Sequence, residues 1–292
     1  MRQCVEIVLL IINNAIKMPE INIINAKGES EPFSLEKVHR SVIKSGGSRE
    51  LAEKVGREIE AMVYPGIETK QIFKAVKDIL KRESPKTSMR FSLRDGIRRL
   101  GPAGFGFEKY VSEIFFEHGY AVKTNQWFNG KCIDYETDVL LQKGNAFFIA
   151  ECKYKNKAGE KIDVGVCLKV YASFLDIKNA GYLSREAKPM VITNAKFTAK
   201  AVVYSNCQGI ELLGWNYPEN NGLERLIEGK GLYPVTVLPS FRGDFVDIFA
   251  AEKIMTVKDV FKMNIEKLTQ KVKISKAQLK KIKAEAELLM NE

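Results

Sequence analysis

Two strand-like runs, residues 132–141 and 146–154, are separated by little more than Gly144-Asn145. A turn that short obliges the runs to lie side by side and antiparallel. A third run, residues 120–127, precedes them, so the middle of the chain is committed to a sheet. Side chains alternate along a strand, which projects Glu151 and Lys153 from one face. Asp138, on the neighbouring run, approaches that face near the end of the hairpin. Two carboxylates and an ammonium beside Phe148 and Ile149 are costly to bury unless they pair with each other or with a cation.

The elements around this hairpin predict an α/β fold. Phe107, Tyr110, Val111, Ile114 and Phe115 trace one face of a helix ahead of it. Behind it come a helix over 164–176, a strand over 190–193, a helix over 198–205 and a strand over 210–213. A mixed central sheet flanked by helices on both faces is the economical arrangement. Upstream, Ile21, Ile23 and Ile24 are strand-like, and Ser34 caps a helix through Val38 and Val42. Leu51, Val55, Ile59 and Met62 predict a second helix, and Ile72, Phe73, Val76 and Leu80 a third.

Gly101-Pro102-Ala103-Gly104 is the clearest punctuation, and a domain boundary is placed there. The expected organisation is an N-terminal extension over 1–20, a mainly helical domain over 21–100, the sheet domain over 101–250 and a small helical appendage over 251–292. In the appendage, Thr256 to Asp259 and Ser275 to Gln278 have the spacing of capping boxes. Leu279, Ile282, Ala286 and Leu289 form its apolar stripe.

The net charge of +10 favours an anionic partner such as nucleic acid. Five scattered cysteines with no CxxC pair fit a reducing cytoplasm rather than a disulfide framework. Two histidines, His39 and His118, leave no room for a histidine-rich metal centre, and His118 reads as a packing residue on the helix after Phe107. The apolar stretch near the start is too short to span a bilayer, so no membrane association is expected.

A magnesium ion, or manganese in its place, would offset the cost of Asp138 and Glu151, because hard cations take oxygen ligands and keep several waters. Lys153 would then orient the attacking water and offset charge on a phosphate. The plainer reading is a salt-bridged Glu151–Lys153 pair on an edge strand, with Asp138 a turn residue. Residues from about Gly104 to Pro239 resemble the PD-(D/E)XK nuclease superfamily, most closely its Mrr-type restriction endonuclease branch. Phe107-Glu108-Lys109-Tyr110-Val111, Asp138, Glu151-Cys152-Lys153 and the run from Val191 to Thr198 carry the resemblance. It implies magnesium-dependent DNA cleavage by Asp138, Glu151 and Lys153. Glu108 is either a further acidic residue reaching the metal through water or a solvated helix carboxylate. Lys169 stands near the place where the branch often has glutamine, and either touches DNA phosphate or faces solvent.

Lys37, Arg40 and Lys44 recur along one face of the first predicted helix. They form either a solvated basic stripe or, with Lys27 on the preceding turn, a triphosphate clamp. Residues 21–100 resemble an ATP-cone, the allosteric module of ribonucleotide reductases, through the run from Gly28 to Val38 and through Glu68-Thr69-Lys70-Gln71-Ile72. The family usually has lysine where this chain has Asn25. The resemblance implies regulation by bound ATP or dATP held by Lys27, Lys37 and Arg40, and no Walker A sequence is present to suggest hydrolysis. The C-terminal helices are similar to a degenerate helix-hairpin-helix, either gripping DNA backbone or acting as a basic packing appendage. The expected activity is thus a nucleotide-regulated, metal-dependent DNA endonuclease, with a homodimer or larger oligomer needed for double-strand cutting. The alternative is a nucleotide-responsive DNA-binding regulator whose nuclease fold is idle.

Overall fold

A computed structural model describes residues 21–101, 105–181, 183 and 186–291. The expectations for residues 1–20 and for Pro102-Ala103-Gly104 lie outside the described residues. Contacts divide the chain into two compact units, one running to Ser88 and the other from Met89. The division precedes the Gly101 punctuation because Met89, Leu93, Ile97 and Leu100, spaced three or four apart, all enter the second unit's core.

In the first unit, β1 (Asn22–Ile24) and β2 (Ser30–Pro32) form an antiparallel hairpin. Its turn contains Gly28 at φ 81°, a conformation that glycine adopts without steric cost. Three helices follow: α1 (Leu35–Lys44), α2 (Arg49–Glu60) and α3 (Thr69–Glu83). Ser34 and Ser48 cap the first two, accepting from Lys37 N at 3.3 Å and Leu51 N at 3.2 Å. Ala52, Val55, Gly56 and Ile59 form the buried side of α2, whereas Met62 lies past its end and is exposed. Gly56 permits a close approach: a Cβ there would fall 2.1 Å from His39 Nε2. Three helices and one hairpin make this unit mainly helical.

The division passes through α4 (Pro85–Phe91), which is followed by α5 (Leu93–Arg98) and α6 (Phe105–Glu117). The central sheet has five strands in the order β3-β4-β5-β7-β9. They are β3 (Ala121–Asn129), β4 (Asp134–Lys143), β5 (Ala146–Lys153), β7 (Ala187–Thr193) and β9 (Glu211–Leu213). The first three pair antiparallel, and β5, β7 and β9 pair parallel, giving the mixed sheet that the pattern predicts. A small parallel pair, β6 (Lys161–Ile162) with β8 (Lys196–Phe197), sits beside it.

One face of the sheet, presenting Val139, Leu141, Ala150, Cys152 and Ile192, packs in one cluster with Phe107, Tyr110, Val111 and Ile114 of α6. Leu140 and Ile149 turn to the opposite face and meet Phe174 and Ile177 of α7 (Val164–Asn179). Val191 and Leu212 share that face with Ala201 of α8 (Ala199–Gln208). His118 falls just beyond the end of α6, where its Nε2 pairs with the Leu226 carbonyl at 2.9 Å in α9 (Leu223–Lys230).

The C-terminal segment consists of α10 (Val246–Ala251), α11 (Val257–Lys262), α12 (Ile265–Lys271) and α13 (Lys276–Met290). Thr256 and Asp259 do form a capping box. Ser275 caps α13, but Gln278 donates to the Ser240 carbonyl at 2.6 Å instead of turning back to the cap. The stripe Leu279, Ile282, Ala286 and Leu289 belongs to the same core cluster as α6. Among the described residues, no helix is long and apolar enough to cross a membrane.

Candidate active site

The predicted hairpin forms with the register that brings Asp138 toward Glu151. The β4–β5 ladder runs from Lys143↔Ala146 to Val139↔Ala150 and stops there. On the other edge, the β3–β4 ladder passes from Thr124↔Val139 to Gln126↔Thr137 without an Asn125–Asp138 rung. Asn125 stands at φ 52°, an uncommon conformation for a side chain without glycine's freedom. Asp138 therefore sits where β4 is released from both neighbours. On the β5 side its carboxylate takes the place of a backbone rung beyond Val139↔Ala150: Oδ2 accepts the Cys152 N–H at 2.7 Å. That bond fixes Asp138 against β5 between Glu151 and Lys153.

Alternation places Asp138, Glu151 and Lys153 on the face of Leu140 and Ile149, toward α7. Lys153 Nζ donates to Glu151 Oε1, and both side chains are half-buried. Glu151 also lines a cleft of about 260 Å³ with Trp127, Glu136, Lys169 and Phe174. Lys169, left open between phosphate and solvent, thus shares a concavity with Glu151. Cys152 turns to the opposite face and is buried in the core, where burial pushes its thiol far above its usual range.

The charges strain one another. Burial, then the neighbouring Glu151 charge, raises the Asp138 carboxyl above its ordinary value, although the Cys152 N–H opposes the shift. Glu108, in the first turn of α6, is raised by burial and then by the charges of Asp138 and Glu151. Glu108 is therefore inside the electrostatic reach of the pair, as a further acidic member would be. Burial works against the Lys153 ammonium, but its hydrogen bond to Glu151 and the charges of Glu151 and Asp138 outweigh that and raise its pKa.

A divalent cation fits this donor set in one particular way. No group of three His, Cys, Asp or Glu side chains among the described residues is arranged to enclose a metal. Two half-buried carboxylates that repel each other suit a hard cation that keeps most of its waters, as magnesium does. A closed, all-protein cage is not what these residues build.

The raised carboxyls carry a stability consequence. A carboxyl whose folded pKa is raised binds its proton more tightly in the folded state, so the associated stability is present at low pH and is lost as pH climbs through the raised value. Asp138→Asn keeps an oxygen to accept the Cys152 N–H and removes the charge. In EDTA at neutral pH its Tm is expected to rise by about 2–4 °C, the shift that 1 kcal/mol gives in a unit of this size. The gain should shrink as melting is repeated at progressively lower pH and vanish only below the ordinary range of an aspartate carboxyl. A Tm at neutral pH that is unchanged or lower would contradict the charge strain.

In the first unit, the predicted nucleotide ligands are exposed and already paired with carboxylates. Lys27 lies 3.9 Å from Glu29, Lys37 3.4 Å from Glu31, and Arg40 2.8 Å from Glu36. Asn25 organises the turn beneath them: its Oδ1 accepts from Lys27 N at 2.9 Å and Glu29 N at 3.1 Å. Its Nδ2 donates to Glu29 at 3.1 Å and to Glu31 at 3.3 Å. Asparagine here holds the loop from within, a role that the sequence pattern alone did not reveal.

Comparison with known proteins places this architecture among relatives. Residues 233–290 match the family model described as AF1548-like, C-terminal. An uncharacterized protein of Archaeoglobus fulgidus is 34% identical over 180 residues, covering 60% of this chain and 97% of that protein. A solved structure, the crystal structure of a protein of unknown function, AF1548, superposes with a TM-score of 0.57 at 31% identity. It covers 64% of this chain and 99% of its own. With nearly the whole length of these relatives matched above 30% identity, the chain belongs to the AF1548-like family.

Proposed function

We propose that the second unit is a metal-dependent DNA endonuclease of the PD-(D/E)XK kind, and that the first is an ATP-cone regulating it. The observation that carries the proposal is the junction at Asp138. A carboxylate released from both ladders is pinned to the Cys152 N–H, beside a Glu151–Lys153 pair on the same face. A surface salt bridge needs no such arrangement.

In this reading Asp138 and Glu151 hold magnesium, whose charge when bound lowers the pKa of a coordinated water and polarises a phosphoryl oxygen. Lys153 keeps its ammonium through the paired carboxylates, so it donates to the water or the phosphate oxygen and offsets negative charge as the phosphorus–oxygen bond breaks. Glu108 is the further acidic residue that would reach the metal through water. Lys169, in the cleft with Glu151, contacts a phosphate of the same strand.

The C-terminal helices supply a second DNA contact. Residues 253–283 contain ten lysines, no arginine, and only Asp259 and Glu266 as acids, which concentrates a charge of +8 in 31 residues. Their apolar stripe is buried, leaving Lys262, Lys267, Lys273, Lys280 and Lys281 exposed. Lysine point charges without arginine forks suit the phosphate backbone more than base edges. Double-strand cutting would use two copies of the chain.

The test is cutting of plasmid and linear DNA with magnesium or EDTA, with and without ATP or dATP. Binding without cutting across metals and DNA forms would transfer the protein to the regulator class. Calorimetry tests the cone separately. ATP or dATP is expected to bind the wild-type protein, and Lys37→Ala to weaken binding about tenfold, as loss of one charge-assisted contact does. Absence of nucleotide binding removes the regulatory half of the proposal.

A further inference from the structure

β5 leaves the sheet just after the candidate site, yet its backbone does not come free. The β5–β7 register ends at Lys153↔Thr193. There Thr193 Oγ1 donates to the Lys153 carbonyl at 2.6 Å and accepts the Ala195 N–H at 3.1 Å. One residue further, the Asn194 amide takes both peptide groups of Lys155. Its Oδ1 accepts Lys155 N–H at 2.8 Å, and its Nδ2 donates to the Lys155 carbonyl at 2.8 Å.

Two side chains thus continue a ladder that the β7 backbone has stopped supplying. Thr193 is 0% exposed and Asn194 4%. Their turn is fixed from behind, because the Ala195 carbonyl accepts Trp215 N–H at 2.8 Å. Burying two polar side chains is costly unless their bonds are made, and here every bond lands on the turn itself or on the segment just past Glu151. Lys153 is held at both ends: its carbonyl by Thr193 and its ammonium by Glu151.

We propose that Thr193 and Asn194 are positioning residues, a latch that fixes the β5 end so that Glu151 and Lys153 keep their spacing to Asp138. The inference rests on the nuclease reading. Catalytic groups must be held within a fraction of an ångström of productive geometry, and this strand end has lost its own ladder. The latch supplies what the ladder no longer does.

The test uses the full chain with T193V, which keeps the shape and removes both bonds, T193S, which keeps them, and N194A. With magnesium and a DNA substrate, kcat is expected to fall 10- to 100-fold in T193V and N194A, with KM and DNA affinity within twofold of wild type. T193S should stay within threefold. Amide exchange measured in EDTA without DNA should quicken across residues 153–157 in T193V and N194A, while residues 189–192 stay protected. Quickened exchange with unchanged kcat overturns the latch, as does a loss in T193S equal to that in T193V. If T193V does not fold, N194A carries the comparison, because its lost partners are the peptide groups of Lys155, two residues past the end of β5. Should the wild-type protein cut no DNA, the nuclease reading fails and exchange alone decides whether the latch holds the strand; unchanged exchange overturns it.

Discussion

Glu151→Ala and Lys153→Ala are each expected to lower magnesium-dependent cutting of supercoiled plasmid by about 10²–10³-fold, the scale of losing one contact to developing charge. The two substitutions act differently. Removing Glu151 takes away one of two carboxylates for the cation and leaves the Lys153 ammonium without its partner. Removing Lys153 leaves two mutually repelling carboxylates, so magnesium is expected to bind as well as before or better while turnover collapses. The discriminating measurement is therefore cutting against magnesium concentration: E151A should demand more metal, whereas K153A should saturate at the wild-type concentration or below. Cutting that survives both substitutions would sink the assignment of the site. A parallel loss of metal response in both would assign Lys153 a structural part only.

The hairpin that carries this site was legible because its physics is local. Alternation along 146–153 and a glycine at φ 57° in the turn are enough to pair β4 with β5, and pairing determines which residues face Asp138. What the sequence could not display is the interruption of both ladders at Asp138. That depends on Asn125 adopting a left-handed conformation on β3, and on a side chain replacing a backbone rung. Hidden for a similar reason were α4 and α5. No helix is predicted between Leu80 and Gly101, yet Pro85 opens α4, since proline is tolerated in a helix's first turn. Gly96 is where a Cβ would fall 2.6 Å from Val237 Cγ1, so close packing, and not a chain break, explains the glycine. Thr193 and Asn194 stood out as part of the run from Val191 to Thr198 that carries the resemblance, but with no role attached to either. Their bonds to Lys153 and Lys155 span about 40 residues of sequence, and no local pattern encodes them.

The same distinction between local pattern and long-range packing governs the C-terminal segment. Its apolar stripe was readable, but the surface it covers was not. Phe249 of α10 is fully buried and packs edge-on against Phe241, with ring centroids 5.0 Å apart at 85°. Both belong to the cluster that contains Tyr110 of α6 and Cys152 of β5, and Tyr110 Oη donates to the Leu232 carbonyl at 2.6 Å across the same core. Phe249→Ala should therefore cost about 3–5 kcal/mol, the price of emptying an aromatic site in a close-packed interior. At roughly 2–4 °C per kcal/mol for a unit of this size, Tm falls by about 6–20 °C. Substitution at exposed Phe261 on α11, a control of the same residue type, should shift Tm by no more than a degree or two, as surface changes do. If the segment were a detachable appendage, F249A would lower a separate, smaller transition and leave metal-dependent cutting intact at the temperature where that transition ends. A single core predicts one shared transition, with cutting lost as the helices melt, because α10 and α13 belong to the same core cluster as α6 and the sheet face opposite Asp138 and Glu151.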